Sequence, residues 1–91
     1  MSETGAAIRP TRAVALGAEV DGCCYIYDPG GVMRILNTSA SAIWRLCDGT
    51  RTVTDLVAEL GRNHDADPDV LAADVVATVD ELLRLGLLGQ A

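Results

Sequence analysis

The predicted strands and helices of this chain meet at Leu36–Thr52, with the sequence LNTSASAIWRLCDGTRT. It contains the end of an extended segment, a short helix and the beginning of a second helix. Asn37 is a good N-cap, because its side chain can accept from backbone N–H groups that the first turn leaves unpaired. Gly49 suits the left-handed position at which a helix stops. We therefore predict a helix over residues 38–47.

Apolar residues recur within this helix at the spacing of one helical face. Ala40, Ile43 and Cys47 should face the core, with Leu46 beside them. Trp44 borders the stripe and is the only Trp of the chain. It belongs either to the core or to a partner-binding surface, where aromatic side chains are enriched.

Three short β-prone segments precede the helix. Asp21-Gly22 lies between the first two segments, and Asp-Gly at such a place is a strong hairpin signal, because both positions tolerate positive φ. Asp28–Gly31 forms the next turn cluster. Gly17 could introduce a bulge into the first segment. We predict a three-stranded antiparallel meander from Arg12–Val20, Cys23–Tyr27 and Val32–Leu36.

Two further helices follow. Thr52 and Asp55 form a weak capping box, and the apolar residues after Thr52 have helical spacing up to Gly61. The third helix is predicted over Pro68–Leu85, because Asp67 can cap it and proline fits the first helical position. Gly86 should stop it, and Leu87 and Leu88 should fold back on the core.

The third helix has an unusually wide apolar surface. Its apolar side chains cover roughly half of the circumference, more than a helix packed on one side needs. Either a small domain wraps the helix on two sides, or one flank lines a groove that another chain completes. One stripe is Leu71, Val75 and Leu82, a second is Ala72, Val76 and Leu83, and Val79 lies between them.

Composition limits the partners. The 91 residues allow one domain, residues 1–91, with an ordered part of about 10–88 and a frayed start. There is no Lys, seven Arg oppose thirteen acids, and the net charge is -6, which disfavours nucleic acid and anionic membrane surfaces. No apolar run is long enough for a signal peptide or a membrane span, so we expect a cytoplasmic protein.

No catalytic, metal or cofactor site can be assembled from the sequence. Cys23 and Cys24 are adjacent, so in a strand they point to opposite faces and do not converge on one ion. His64, the only His, has no nucleophile or second ligand nearby. Asp65, Asp67 and Asp69 lack the glycine and glutamate of a calcium loop and are better explained by helix capping. We expect a non-catalytic protein without a cofactor.

The order of three strands and three helices carries the pattern LN-x-x-A/S-x-x-I-W-x-L-x-D-G-x-x-T at its junction. This resembles the PqqD-like family, the peptide-recognition domains of pathways for ribosomally made, post-translationally modified peptides. The likeness runs from about Val14 to Leu88 and includes the closing ELLRLGLL of Glu81–Leu88. It implies an α+β, winged-helix-like fold, with an N-terminal three-stranded antiparallel sheet followed by three helices.

The resemblance also implies a mode of binding. A precursor's leader peptide would add a strand to Val32–Leu36 and lie against helix three. An edge strand has unpaired backbone groups that an extended peptide satisfies, and apolar pockets select its side chains. We expect the N–H groups of Val32 and Arg34 to be donors at this edge, with the Arg34 side chain facing solvent or an acidic leader residue. The expected peptide-binding residues are Val32, Met33, Arg34, Ile35, Leu36, Leu71, Ala72, Val75, Val76 and Val79.

The implied role is an adaptor that delivers the peptide to a modifying enzyme, which could be a radical-SAM protein, a cyclase or a leader peptidase. The same edge could pair with a second copy and give a homodimer. Members devoted to pyrroloquinoline quinone (PQQ) synthesis carry a Trp in the second strand and a Pro-Glu pair before the third. Here those regions are CCYIY and DPGGV, which favours the broad family over that pathway. The alternative is a winged-helix DNA-binding regulator, which the acidic start of helix three opposes.

Overall fold

A computed structural model describes residues 8–62 and 67–90. Its elements confirm the predicted α+β class, with a three-stranded antiparallel sheet before three helices, and the likeness to a winged helix is approximate. None of the described helices could cross a membrane. The elements are β1 (Pro10–Arg12), β2 (Ala18–Val20), β3 (Cys23–Tyr27), β4 (Met33–Leu36), α1 (Thr38–Leu46), α2 (Val53–Gly61), α3 (Pro68–Arg84) and β5 (Leu88–Gln90).

Three of the sequence-based expectations fall outside these residues. The frayed start of the chain lies mostly before residue 8, and His64 and Asp65 lie in the gap between the two described ranges. Their predicted roles stay predictions.

The three-stranded sheet has the order β2-β3-β4, and both neighbouring pairs are antiparallel. Asp21 and Gly22, with φ of 52° and 81°, form the predicted hairpin turn. The first strand was predicted too long, since β2 begins only at Ala18. Gly17 N–H donates to the Tyr25 carbonyl at 3.0 Å, and Ala18 is the register partner of Tyr25. Two residues therefore oppose one, as in a bulge.

A second sheet, which the sequence did not predict, joins β1 to β5 in antiparallel fashion. The Arg12 N–H donates to the Cys47 carbonyl and the Gly49 N–H donates to the Pro10 carbonyl, both at 3.0 Å. Thus β1 lies between β5 and the segment that follows α1. Arg12 was predicted in the first strand of the meander but belongs to β1 of this second sheet. For a strand this short, contacts with distant parts of the chain decide which strand it pairs with.

The helix caps agree with the sequence. Asn37 accepts from the Ala40 N–H at 2.8 Å. Thr52 and Asp55 exchange side-chain and backbone hydrogen bonds in a complete capping box. The Asp67 carboxylate accepts from the first turn of α3, which starts with proline as predicted. The ends of α1 and α3 come one residue earlier than predicted.

Ser41 is the polar residue at the centre of the packing. Its hydroxyl is buried, donates to the Leu36 carbonyl at 3.0 Å and accepts from the Cys24 N–H at 2.8 Å. Cys24 and Leu36 stand opposite each other in the β3–β4 register. One side chain of α1 thereby bonds to both strands at the point where the sheet ends.

Trp44 is a core residue, with 2% of its surface exposed. Its indole N–H donates to the Leu87 carbonyl at 3.1 Å, and the Arg12 guanidinium lies 5.7 Å from the ring centroid. This resolves the two alternatives for Trp44 in favour of the core. The buried apolar residues around it come from the strands, all three helices and the C-terminal segment: Cys24, Ile26, Leu36, Ile43, Cys47, Val53, Leu56, Val75, Val79, Leu82, Leu87 and Leu88.

The buried hydroxyl gives a stability prediction. Ser41→Ala leaves the Cys24 N–H and the Leu36 carbonyl without this partner, so the free energy of unfolding should fall by about 1–3 kcal/mol. Urea denaturation followed by Trp44 fluorescence measures the change. Ser39→Ala, at an exposed position of the same helix, is the matched control. Equal stability of the two variants would contradict the structural role of the hydroxyl.

Candidate functional site

The outer edge of β4 offers unpaired backbone groups. Within the described chain, β4 pairs only with β3. The Asp28 N–H donates to the Val32 carbonyl at 2.9 Å, so these two residues form a hydrogen-bonded pair. Such pairs alternate along an antiparallel ladder. Arg34 and Leu36 therefore direct their backbone groups towards β3, and Met33 and Ile35 direct theirs away from the sheet.

This arrangement corrects the expected donors. The Val32 N–H donates to Asp28 Oδ1 at 2.9 Å, and the Arg34 N–H faces β3. The edge donors are thus Met33 and Ile35, not Val32 and Arg34. The cause is the loop before β4, in which Gly31 has a φ of 84° and sets which residues of the strand face outwards.

The Asp28 side chain anchors the start of β4. Its Oδ1 accepts from the Val32 and Gly30 N–H groups, both at 2.9 Å, and its Oδ2 accepts from Arg34 Nε at 3.0 Å. The Val32 N–H above all, followed by the Arg34 guanidinium and the Gly30 N–H, holds the pKa of this carboxyl below its ordinary value. Arg34 is consequently held in an ion pair within the chain.

A groove of about 320 Å³ lies between α1 and α3. It begins beside the edge strand, because Thr38 is only two residues beyond Leu36, the last residue of β4. Its lining is mostly apolar, with hydroxyl groups and one carboxylate. The lining residues are Thr38, Ser39, Ala42 and Ile43 of α1, Leu60 of α2, and Leu71, Asp74, Val75 and Thr78 of α3.

The residues expected on α3 are distributed over three places. Leu71 and Val75 line the groove beside α1. Ala72 and Val76 line a separate hollow of about 370 Å³ together with α2. Val79 is fully buried in the core and has no surface for a peptide. The wide apolar flank of α3 thus reflects packing on two sides, by α1 and by α2, with a hollow left on each.

The residues expected to bind peptide on β4, and Val32 just before it, differ in exposure. Leu36 is buried in the core, whereas Val32, Met33 and Ile35 are exposed, with Ile35 61% accessible. From the register, Met33 and Ile35 lie on the same face as Tyr27 and Tyr25 of β3.

This outer face of the sheet is apolar from edge to edge. The residues that share it are Ala18, Val20, Cys23, Tyr25, Tyr27, Met33 and Ile35. An antiparallel sheet with one buried face usually presents polar residues on the other. Large contiguous apolar patches on a protein surface are typical of interaction sites, so this face is a candidate for one.

Several groove residues were missed from the sequence. The groove residues that were not among the expected site residues are Thr38, Ser39, Ala42, Ile43, Leu60, Asp74 and Thr78. For α3 a signal was present, because Leu71, Asp74 and Thr78 recur at i, i+3 and i+7 and so share one face. The residues of α1 could not be found in this way, since their part in the groove depends on how α1 packs against α3.

Two of the three cysteines do not provide a reactive nucleophile at this site. Cys24 and Cys47 are buried. Burial raises the pKa of the Cys47 thiol to about 11, so this group stays neutral near pH 7. Within residues 8–62 and 67–90, no cluster of His, Cys, Asp or Glu could hold a metal ion. The edge of β4 offers backbone groups for strand pairing, and the groove between α1 and α3 offers apolar contact.

Comparisons with known proteins agree with these features. The sequence model of the family described as coenzyme PQQ synthesis protein D (PqqD) matches residues 23–88. A curated protein from Rhodopseudomonas palustris (strain BisB5), named PqqA binding protein, is 36% identical over 52 residues. This alignment covers 57% of the chain and 51% of that protein, so it spans about half of the relative's length. No solved structure matches the chain.

The bonds at Asp28 predict an acid-sensitive anchor. Its pKa is lowered in the folded chain, so its contribution to stability is present above its unfolded value of about 3.9 and is lost as the pH falls through the folded value. Wild type should therefore exceed Asp28→Ala in urea midpoint at pH 7, and this difference should shrink at pH 2.5. If the difference in urea midpoint between wild type and Asp28→Ala were the same at both pH values, the ionised Asp28 carboxylate would not be the anchor.

Amide exchange separates the two parts of the Asp28 anchor. Asp28→Asn keeps a side-chain oxygen for the Gly30 and Val32 N–H groups but removes the charge opposite Arg34. Asp28→Ala removes both. Exchange at Val32, followed by NMR, should be faster in the Ala variant than in wild type and close to wild type in the Asn variant.

Proposed function

Because the chain belongs to the PqqD family, we propose that it is a non-catalytic adaptor that binds a precursor's leader peptide by strand addition and delivers it to a modifying enzyme. The observation that carries the proposal is the free edge of β4, where Met33 and Ile35 direct their backbone groups away from the sheet. The relative from R. palustris is named for binding PqqA, which supports a peptide partner.

Strand addition would use both faces of the extended sheet. The backbone of an extended peptide would pair with the N–H and C=O groups of Met33 and Ile35. Successive side chains of a strand point to opposite faces. Alternate residues of the peptide would therefore lie beside the apolar outer face, and the others would point towards the groove between α1 and α3. Backbone pairing would supply affinity and the groove would supply selectivity.

The second free edge, on β2, is less suited to a peptide. It has only three residues and includes Glu19, which is ion-paired with Arg45 of α1. Charged side chains on an edge discourage pairing with another strand. The edge of β4 has the exposed apolar Met33 and Ile35 and adjoins the groove. We therefore place the peptide on β4.

An adaptor must hold the peptide and the enzyme together. With a peptide on the β4 edge, the outer face of the sheet would remain accessible to a modifying enzyme. Contact with both partners would raise the effective concentration of the peptide at the active site. The enzyme would be a radical-SAM protein, a cyclase or a leader peptidase. The peptide would be PqqA in PQQ synthesis or the leader of another modified peptide.

A homodimer through β4 would occupy the same edge. Peptide and second copy would then compete, so a dimer formed in this way would dissociate when peptide is added.

DNA binding is not favoured by the charges. The first turn of α3 carries Asp69 after the capping Asp67, and the basic residue of α3, Arg84, is ion-paired with Glu81. Acidic groups at the start of a presumed recognition helix repel phosphate.

Proline substitutions on β4 test strand addition. Ile35→Pro or Met33→Pro removes one outward N–H, a change that an edge strand tolerates. Peptides would be selected by the wild-type chain from a displayed library of random 12-residue sequences, with R. palustris PqqA as a second probe. Fluorescence anisotropy should show about threefold to tenfold weaker binding by each variant, as expected for one lost hydrogen bond.

The control is Glu19→Pro on the edge of β2. Val20 and Cys23 flank the two-residue turn as a hydrogen-bonded pair, so the Glu19 N–H also points away from the sheet. This variant should bind the peptide as wild type does, and circular dichroism would check each fold. If the wild type selects no peptide and fails to bind PqqA, or if folded Ile35→Pro and Met33→Pro variants bind unchanged, strand addition on β4 is wrong.

A further inference from the structure

The groove between α1 and α3 carries one charged group, the carboxylate of Asp74. The side chains around it are apolar or end in hydroxyl groups. Asp74 is exposed, and among residues 8–62 and 67–90 its carboxylate has no hydrogen-bond or ion-pair partner. A purely apolar ligand would leave this carboxylate unmatched.

No cationic side chain of the described residues lies in the groove to pair with Asp74. The chain has no Lys, and none of its Arg residues lines the groove. Arg12 stacks on Trp44 and donates to the Arg45 carbonyl. Five others have acidic partners of their own: Arg34, Arg45, Arg51, Arg62 and Arg84. The seventh, Arg9, lies near Asp55, whose pKa is lowered by hydrogen bonds from Thr52 and also by this guanidinium. Since none of the seven lines the groove, a cation opposite Asp74 would come from the ligand.

We infer that the peptide bound at β4 carries a Lys or Arg that pairs with Asp74, next to an apolar side chain that fills the groove. This inference rests on the proposed strand addition and adds the chemistry of the peptide. Asp74 would be a specificity-determining residue, since the apolar lining alone does not distinguish a basic peptide from a neutral one.

The spacing of Leu71 and Asp74 on α3 is close to the spacing of side chains on one face of an extended peptide. Leu71 and Asp74 are three residues apart on α3, so their Cβ atoms are about 5–6 Å apart. Residues on one face of an extended peptide are two positions apart, which is about 6.6 Å. The expected motif is therefore an apolar residue and a basic residue separated by one position.

The net charge of the chain also favours a basic peptide. The net charge of -6 attracts a basic peptide over a longer range than the contact itself. Binding should accordingly weaken as ionic strength rises, because salt screens exposed charges.

Selection from the random 12-residue library tests this motif. Peptides selected by the wild-type chain should be enriched in Lys or Arg two positions from an apolar residue. Asp74→Asn should keep the apolar preference and lose the basic one, and Asp74→Arg should select Asp or Glu in its place. Asp69→Asn, which removes an acid of α3 outside the groove lining, should select the same peptides as wild type.

A double-mutant cycle on one selected peptide then isolates the pair. Replacing the basic residue of the peptide by Gln, or Asp74 by Asn, should each weaken binding about threefold to fivefold, as for an exposed ion pair. Both changes together should weaken it no further than either alone.

The outcomes separate this inference from the proposed function. Suppose that peptides are selected and that their binding is weakened by Ile35→Pro, but that no basic residue is enriched or the enrichment survives in Asp74→Asn. The pairing with Asp74 is then wrong, while strand addition stands. If neither the library nor PqqA yields a binding peptide, strand addition itself fails and the inference fails with it.

Discussion

The hydroxyl of Ser41 determines how the sheet meets the helices. It is buried between the Cys24 N–H and the Leu36 carbonyl and belongs to a helix that starts only two residues after the strand. Because one side chain bonds to both strands, α1 cannot slide along the sheet without leaving buried backbone groups unpaired. The free edge of β4 and the groove beside α1 are consequently held at a fixed separation.

The other end of α1 is fastened by a different set of contacts. Trp44 donates to the Leu87 carbonyl, and the backbone after the helix bonds to β1. The stretch Leu36–Thr52 therefore connects the three-stranded sheet at its start to the two-stranded sheet at its end. Its role is mainly structural, but its helix α1 also lines one side of the groove. The exposed surfaces are therefore the edge of β4 before it and the groove that α1 forms with α3.

Local chemistry explains which features could be predicted from the sequence. The cap at Asn37 and the turn at Asp21 depend on neighbouring backbone groups and on allowed φ values, so a few residues suffice to identify them. The β1–β5 pair, the outward donors of β4 and the α1 side of the groove depend on partners far along the chain or on the register that a loop sets. Ser41 was missed because a serine within a helix gives no sign that buried backbone groups of two strands need its hydroxyl.

The pairing of β1 with β5 brings the two ends of the described chain together, since Pro10 stands opposite Gln90. A unit whose ends lie side by side can be inserted into a surface loop of a larger protein without separating the two halves of that loop. The architecture is therefore portable: a host enzyme could carry it as an internal module, joined by two short linkers. The exposed edge of β4, on the other sheet, would stay accessible.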